Sequence, residues 1–424
     1  MIDEIAAIIF FLITFLTAAY LVRHLVFTLT VLRTTKDRKT RAAERSYQPN
    51  VSVLIPAHNE ERVINRILQR MTELTYPKEK LQIIVIDDAS TDATGRIAEN
   101  CVQRCGHFKV LHRQKKEAHQ GKASALNEAL KLCEGEIVLC FDADYYPQKD
   151  IVEKLVSVFA DPTVGAVQGR VIVLNEPYNV VTRLVALERI GGYRVDQQAR
   201  ESLGLIPQFG GTVGGVRKSL LDRFGGWDET SLAEDTDLTF RTCLAGYTVR
   251  YVNDAECYEE AVESWAAYRK QRYRWAKGHM QCAFKYSFKV LTSRKLNFRR
   301  KLDGLLLLGV YFMPVLALLS FVSCAVLMMF QSSPWWFGML WAMVPISLYS
   351  FVGNFAPFFE VGIGAYLDGR TRAQWLISLL IFTFLYNIFI CTKAFVDLLV
   401  SRISGHNCSF WTKTAHSGNG NSYI

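Results

Sequence analysis

Two aspartates separated by one residue, Asp142-Ala143-Asp144, stand directly behind the apolar run Ile137-Val138-Leu139-Cys140-Phe141. Carboxylates so placed suit a Mg²⁺ or Mn²⁺ ion holding a diphosphate, because a few carboxylate oxygens fix the metal and phosphate oxygens fill its remaining positions. The ion offsets the negative charge that gathers on a departing diphosphate. Spacing alone says little, since D-x-D is also common in solvated turns; its place at the end of a buried strand is what gives it weight. A second acidic group, Glu234-Asp235, opens the helical stretch Thr236-Asp237-Leu238-Thr239-Phe240-Arg241. Acids in a helix's first turn complement its dipole, and alone that ordinary account suffices. The chemical account makes one of them a general base that takes a proton from an attacking hydroxyl. The third group is Gln271, Arg274 and Trp275, at i, i+3 and i+4 on one helical face, with Tyr268 a turn earlier. Arginine pairs with phosphate oxygens, and an indole offers a flat apolar surface to the C–H face of a sugar. Residues 263–290 are also rich in Trp, Tyr, Lys and Arg, as interfacial amphipathic helices are. Both readings fit one helix.

The elements that must position these groups follow from the pattern of apolar runs. Val51–Ile55, stopped by Pro56, reads as a strand, and residues 60–73 as a helix. Ile83–Ile86 is a second strand ending at Asp87-Asp88, and Ser90-Thr91-Asp92 a natural helix start before a helix over 93–104. Val110–His112 is a short strand, 122–132 a helix, and Ile137–Phe141 a third long strand. Strands alternating with helices predict a parallel sheet covered on both faces. Ligands of such sheets bind beyond the carboxyl ends of the strands, where both acidic clusters fall. No G-x-G-x-x-G follows a strand, and Gly121-Lys122 lacks the earlier glycine of a P-loop, which disfavours a dehydrogenase or a P-loop NTPase.

Charge is unevenly spread along the 424 residues: 5–22, 304–359 and 375–392 carry none. Each is long enough to cross a membrane, and Gln331-Ser332-Ser333-Pro334 divides the longest in two, giving one amino-terminal span and three carboxy-terminal ones. Asp3 and Glu4 at the start argue for an anchor rather than a cleaved signal peptide. Basic residues follow span 1 (Arg33, Lys36, Arg38, Lys39, Arg41, Arg45) and precede span 2 (Arg294, Lys295, Arg299, Arg300, Lys301), which puts residues 33–301 in the cytosol. The net charge of +9 is concentrated in these flanks, so it speaks for anionic lipid and against nucleic acid. The ten cysteines form no C-x-x-C pair and have no histidines at zinc-ligand spacing. In a reducing compartment they read as buried or free thiols.

With these groups in this order, the chain resembles the family 2 glycosyltransferases, in particular the processive branch containing cellulose, chitin, hyaluronan and poly-N-acetylglucosamine synthases. The resemblance rests on Ile55-Pro56-Ala57-His58-Asn59-Glu60, Asp87-Asp88-Ala89-Ser90, Gly121-Lys122, Asp142-Ala143-Asp144, Phe209-Gly210-Gly211-Thr212, Ala233-Glu234-Asp235 and Gln271-Arg272-Tyr273-Arg274-Trp275, and covers roughly residues 50–280. Ala233 stands where the family often has threonine; the carboxylates beside it remain.

The resemblance implies an α/β GT-A (Rossmann-like) cytosolic domain combined with transmembrane and interfacial α-helices. The division is an anchor (1–32), a basic linker (33–49), the catalytic domain (50–262), an interfacial region (263–301), a membrane region (302–400) and a tail (401–424). Pro56, Ala57, Glu60 and Asp88 are then expected around the nucleoside, with Asp87 as a neighbour, and Lys122 near the donor phosphates. Asp142 is expected on the nucleotide-sugar, Asp144 with Asp142 on Mg²⁺ or Mn²⁺, and Arg274 on the diphosphate. Asp235 is the expected base with Glu234 beside it. Gln271, Trp275 and the loop Phe209, Gly210, Gly211, Thr212 are expected to hold the acceptor. Trp411-Thr412-Lys413-Thr414 resembles a gate over the active site, yet three spans after a cytosolic domain leave the tail outside. Either the middle span, with Pro345 and Pro357, is re-entrant, or the third, interrupted by Lys393 and Asp397, lies in the interface.

The expected activity is inverting transfer from UDP-glucose or UDP-N-acetylglucosamine to a growing β-linked polysaccharide that is then exported. The expected setting is the plasma or inner membrane, among its lipids, with room for accessory export or regulatory proteins. Transfer of one sugar to a lipid acceptor is the nearest rival. A membrane carrier or channel with a nucleotide-binding domain is another, and it has no need of a general base.

Overall fold

The structure is a computed structural model that describes residues 2–34, 47–103, 105–114, 121–329, 357–404, 418 and 420. After the apolar helix α1 (Ile2–Thr34), three apolar runs form strands buried on both faces, β1 (Val51–Ala57), β2 (Leu81–Asp87) and β4 (Ile137–Cys140), and a partly exposed edge strand, β3 (Phe108–His112), joins them. They lie parallel in the order β3-β2-β1-β4, with Val51 opposite Leu81 and Ile137. Helices α2 (Ile64–Thr72), α3 (Thr94–Val102) and α4 (Lys122–Leu130) make the connections. Successive strand residues point to opposite faces, so Ile55, Ile83 and Leu139 enter one apolar core while Leu54, Ile84 and Val138 enter the other. The expected helix start at Ser90-Thr91-Asp92 falls two residues early. Asp92 Oδ1 accepts from the Thr94 N–H (2.9 Å), and Ser90 Oγ accepts from the Asn59 N–H (3.0 Å), so these side chains shape the turn ahead of α3.

Beyond β4 the sheet departs from the parallel expectation. The elements that follow are β5 (Tyr146–Pro147), α5 (Ile151–Ser157), β6 (Val164–Val173), α6 (Val180–Arg189), a π-helical stretch (Ile190–Gln197), α7 (Gln198–Ser202), β7 (Gly214–Arg217), α8 (Lys218–Phe224), α9 (Glu234–Leu244) and β8 (Thr248–Glu259). They extend the order to β3-β2-β1-β4-β7-β6-β8-β5, with β7 antiparallel to both β4 and β6. The sheet is therefore mixed. Close approach dictates the unstrand-like sequence of β7: a Cβ on Gly214 would lie 2.3 Å from the Val167 carbonyl oxygen, and one on Gly215 2.4 Å from Leu139 Cδ2.

Next comes α10 (Trp265–Thr292), started by Ser264, whose side chain accepts from the Ala267 N–H. Then follow α11 (Phe298–Gly309), a 3₁₀ turn (Val310–Phe312), α12 (Met313–Met329), α13 (357–367), a 3₁₀ stretch (Thr371–Leu379) and α14 (Leu380–Ser404). Among the described residues, three helical stretches are long and apolar enough to cross a membrane: Phe11–Thr34, Phe298–Ser323 and Ala373–Ser404. The expected middle span, with Pro345, lies mostly in 330–356, outside the described residues. Helix α14 packs along charged α10, with Cys391, Ala394 and Leu398 against Ala276 and Met280, and Asn387 Nδ2 donating to the Tyr268 hydroxyl (3.1 Å). Gly420 donates its N–H to Glu260 at 3.2 Å, so that point of the tail rests on the sheet domain. The candidate gate Trp411–Thr414 lies outside the described residues.

Candidate active site

The carboxyl ends of β1 and β4, the start of α9 and one face of α10 surround a cavity of about 680 Å³. Pro56, Ala57, Glu60 and Asp88 line it from the β1 and β2 ends. Asp87 does not. It turns away to accept from the Ser90 N–H and pairs with His112 Nδ1 (2.9 Å), which makes it a support for the turn. Asp88 is held by Arg113, which is itself buried and also bound to Glu128 (2.8 Å) and Ser124 (2.9 Å).

Lys122 stands at the first position of α4, behind Gly121 at φ +98°. Its ammonium donates to Asp142 Oδ1 (2.5 Å) and to the Gly211 carbonyl (2.9 Å), tying the β4 end to the 209–212 loop. Burial works to lower its pKa, and Asp142 and Glu234 more than offset that, so the amine stays charged. The Asp142 N–H donates to Thr212 Oγ1 (3.1 Å). Of the loop, Gly210 and Thr212 line the cavity, whereas Phe209 is fully buried in the core beneath and so cannot touch an acceptor. Gly211 has φ +74°, and a Cβ there would meet that of Asp235 at 3.2 Å. Glycine is required on both counts.

Glu234 and Asp235, at the first turn of α9, face the same cavity as Asp142, Asp144, Gln271, Arg274 and Trp275. Asp235 Oδ1 accepts from the Thr236 N–H at 2.6 Å. Burial first, then the Asp235 charge, push the Glu234 carboxyl up to about 7 against the pull of Lys122 and Arg274. Beneath the pair lies His279. Its Nδ1 is 3.0 Å from the Trp275 carbonyl, an atom that only accepts, so the ring proton sits there. Nε2 then accepts from Thr236 Oγ (3.1 Å) and Gln208 Nε2 (2.9 Å). Burial lowers the His279 pKa, which agrees with a neutral ring.

Glu234 yields a stability prediction. A carboxyl neutral up to about pH 7 when folded but ionised from about 4.5 when unfolded favours the folded state at low pH. That contribution is lost as pH rises through 7. Glu234→Gln is expected to raise the unfolding midpoint above pH 7 by roughly 2–6 °C while changing it little at pH 5. Thermal unfolding at the two pH values checks this.

Trp275 is held between two arginines, with the Arg272 guanidinium 4.3 Å and that of Arg189 4.9 Å from its ring centre. Arg189 is fixed by Glu259 (Nε–Oε1 2.5 Å, Nη2–Oε2 3.0 Å), which also accepts from the Tyr145 hydroxyl (2.7 Å). Arg272 pairs with Glu188, which accepts from the Tyr268 hydroxyl (2.8 Å). Arg274 has no carboxylate partner among the described residues. Sequence reasoning missed Arg189, Glu188, Glu259 and His279. Their partners lie far along the chain, and only the overlap of Arg272 with the Q-x-x-R-W stretch pointed this way.

The donor set for a divalent ion is small. Asp142 and Asp144 are the paired carboxylates at the β4 end, and among the described residues no group of three or more ligating side chains gathers. Two carboxylates fit Mg²⁺ or Mn²⁺ in the usual nucleotide-bound form, where phosphate oxygens and water complete the octahedron.

A family model described as "Glycosyltransferase like family 2" matches residues 49–278, more than half of the chain and all of the residues just described except His279. The chain belongs to glycosyltransferase family 2. Among curated relatives, this transferase is 38% identical over 239 residues to the Bacillus subtilis (strain 168) protein YdaM, named as a probable glycosyltransferase; the match covers 56% of this chain and 57% of that one. It is 36% identical over 256 residues to the Beta-monoglucosyldiacylglycerol synthase of Synechocystis sp. (strain ATCC 27184 / PCC 6803 / Kazusa), covering 60% of this chain and 53% of that one. The transferase thus spans little more than half the length of these relatives. Among solved structures it is similar to a mannosyltransferase from Pyrobaculum calidifontis in complex with GDP-Man and Mn²⁺, with TM-score 0.57, 25% identity and coverage of 87% of this chain and 99% of that one. The GT-A expectation holds, and the nucleotide-sugar donor and divalent metal fit this family.

Proposed function

We propose that this transferase moves a single sugar from a UDP-sugar, with UDP-glucose favoured, to a membrane lipid, with inversion at the anomeric carbon. The observation that carries the lipid reading is the shape of the cavity. It runs from the nucleotide end at Pro56 and Asp88, past Asp235 and Trp275, to Leu307, Val310, Tyr311 and Pro314 where α11 gives way to α12. Its far end is thus built from an apolar stretch long enough to cross a membrane, which suits an acceptor whose headgroup enters from the bilayer. The named glucolipid synthases among the relatives point the same way. The processive polymer expected from the resemblance uses the same residues as far as Trp275, and product length separates the two.

In this reading residues 50–262 form the catalytic domain on the cytosolic face and 263–301 the interfacial region. Asp142 and Asp144 would hold the metal, which would stabilise charge on the leaving diphosphate. Lys122 and Arg274 hold the phosphates from either side. Asp235 takes the proton of the acceptor hydroxyl as its oxygen attacks the anomeric carbon opposite the diphosphate. An α-linked donor therefore gives a β-linked product. Trp275, kept in place by Arg189 and Arg272, presents its ring to the acceptor. Purified protein in detergent, given labelled UDP-glucose, UDP-N-acetylglucosamine or GDP-mannose, Mg²⁺ or Mn²⁺ and a membrane lipid extract, is expected to label one lipid species carrying one sugar. A long water-soluble or insoluble glycan as the labelled product would overturn the lipid reading.

A further inference from the structure

Three residues of one cavity wall stand four apart in the chain: Arg189 at the end of α6, then Tyr193 and Gln197 in the π-helical stretch that follows. All three line the cavity, and so do their neighbours Gly192 and Asp196. In an α-helix, residues four apart drift round the axis by about 40° at each step. The wider π turn removes most of that drift, so successive turns keep facing the same space. Packing accounts for the Tyr193 ring. It lies against the core that holds Ile55 and Leu139, and the Arg189 guanidinium is 5.9 Å from its centre and 4.9 Å from that of Trp275. Packing does not account for the oxygen. Among the described residues it has no hydrogen-bond partner, although a Cβ on Gly210 would stand only 3.4 Å from it. The next residue, Gly211, is the one whose Cβ would meet that of Asp235. Burial, and beyond it the charges of Glu259, Asp235 and Asp142, push the Tyr193 hydroxyl up to about 12 against the pull of Arg189. The group is thus a neutral O–H, able to give one hydrogen bond and accept another. Beside it the wall is open: among the described residues, nothing beyond the adjoining chain lies within 4 Å of a Cβ on Gly192.

We infer that Tyr193 is a specificity-determining residue whose hydroxyl holds one hydroxyl of the sugar in transfer, and that the π-helical stretch is the device that presents it. This rests on the placing of donor and base proposed above, and not on the identity of the acceptor. The anomeric carbon must lie between the diphosphate, held at Asp142 and Lys122, and the base Asp235. A wall hydroxyl that feels both carboxylates therefore meets the ring attached to that carbon, whereas the acceptor comes in over Trp275. A sugar hydroxyl supplies the partner that the protein withholds from the Tyr193 oxygen. A donor lacking that hydroxyl leaves a polar atom of the site unpaired, which is how such sites reject deoxy analogues.

The test is a cycle between protein and donor. Full-length wild type and Tyr193→Phe, in detergent with a membrane lipid extract and Mn²⁺, receive UDP-glucose and each of its monodeoxy analogues, and kcat/KM is measured for every pair. Phenylalanine keeps the ring and removes only the oxygen. The wild type is expected to prefer UDP-glucose to one of the analogues by at least tenfold. Tyr193→Phe is expected to lower that one preference about tenfold, with the other preferences and inhibition by UDP unchanged within about twofold. Each preference is a ratio within one preparation, so partial unfolding of the variant leaves it intact. Preferences that are the same in both proteins for every analogue would overturn the inference and make Tyr193 part of the framework. Transfer of a sugar other than glucose by the wild type would instead correct the donor favoured above, and the same cycle on that sugar's deoxy analogues then decides. A polymeric product would remove the lipid acceptor and leave the cycle readable.

Discussion

Asp235→Asn is expected to lower the rate of sugar transfer by about 10³-fold, within the range that a positioned general base contributes, while UDP affinity changes by less than about twofold. Asparagine is nearly isosteric, and its side-chain oxygen can still accept from the Thr236 N–H as Asp235 does at 2.6 Å. The start of α9 and the Gly211 contact therefore stay in place. What disappears is the capacity to take a proton. His279 cannot substitute: its Nδ1 proton is committed to the Trp275 carbonyl, and its Nε2 is occupied by Thr236 and Gln208. Glu234 could, because burial, the larger cause of its raised pKa, still acts on the carboxyl once the Asp235 charge is gone. Calorimetric UDP binding beside initial transfer rates separates these cases. An Asp235→Asn rate within a few-fold of the wild type would assign the proton to Glu234 instead.

What the sequence disclosed and what it hid divide along a physical line. The first strands were legible because continuous β-branched runs such as Ile83-Ile84-Val85-Ile86 have few alternatives to burial in a sheet. The acidic pairs were legible because they sit at the ends of those strands. The antiparallel insertion of β7 was not, since a strand of Gly214-Gly215-Val216-Arg217 is selected for closeness to Leu139 and Val167 rather than for strand propensity. The same holds for the support around Trp275. Arg189 and Glu259 are 70 residues apart, and neither carries a local signature. Asp87 and Phe209 were drawn into the site by adjacency, and the geometry assigns both to structure: the alternation of a strand turns Asp87 away from Asp88, and Phe209 fills the core below Gly210. The apolar pattern of α14 reads as a span, and that one of its faces packs against α10 is invisible to hydropathy.

Arg274 and Arg272 share a helix and lie two residues apart, yet their replacement by alanine is expected to do opposite things. Arg272 is buried between Glu188 and the Trp275 ring. Removing it leaves a carboxylate without its cation and an indole without one of its two supports, a loss of about 3 kcal/mol in stability that a lowered unfolding midpoint reports. Arg274 lacks a carboxylate partner among the described residues, lines the cavity, and acts electrostatically on Glu234. Arg274→Ala is therefore expected to leave the unfolding midpoint within about 2 °C of the wild type and to reduce kcat/KM for the donor by roughly 10²–10³-fold. Most of that loss lies in kcat if the guanidinium meets the charge that builds on the diphosphate as the bond breaks. Arg274→Lys retains the charge but not the two-pronged contact, and is expected to recover only part of the loss. Steady-state kinetics of the two variants against the wild type, with thermal unfolding alongside, makes the distinction. A destabilised Arg274→Ala with unchanged kcat/KM would move Arg274 out of the active site and into the framework.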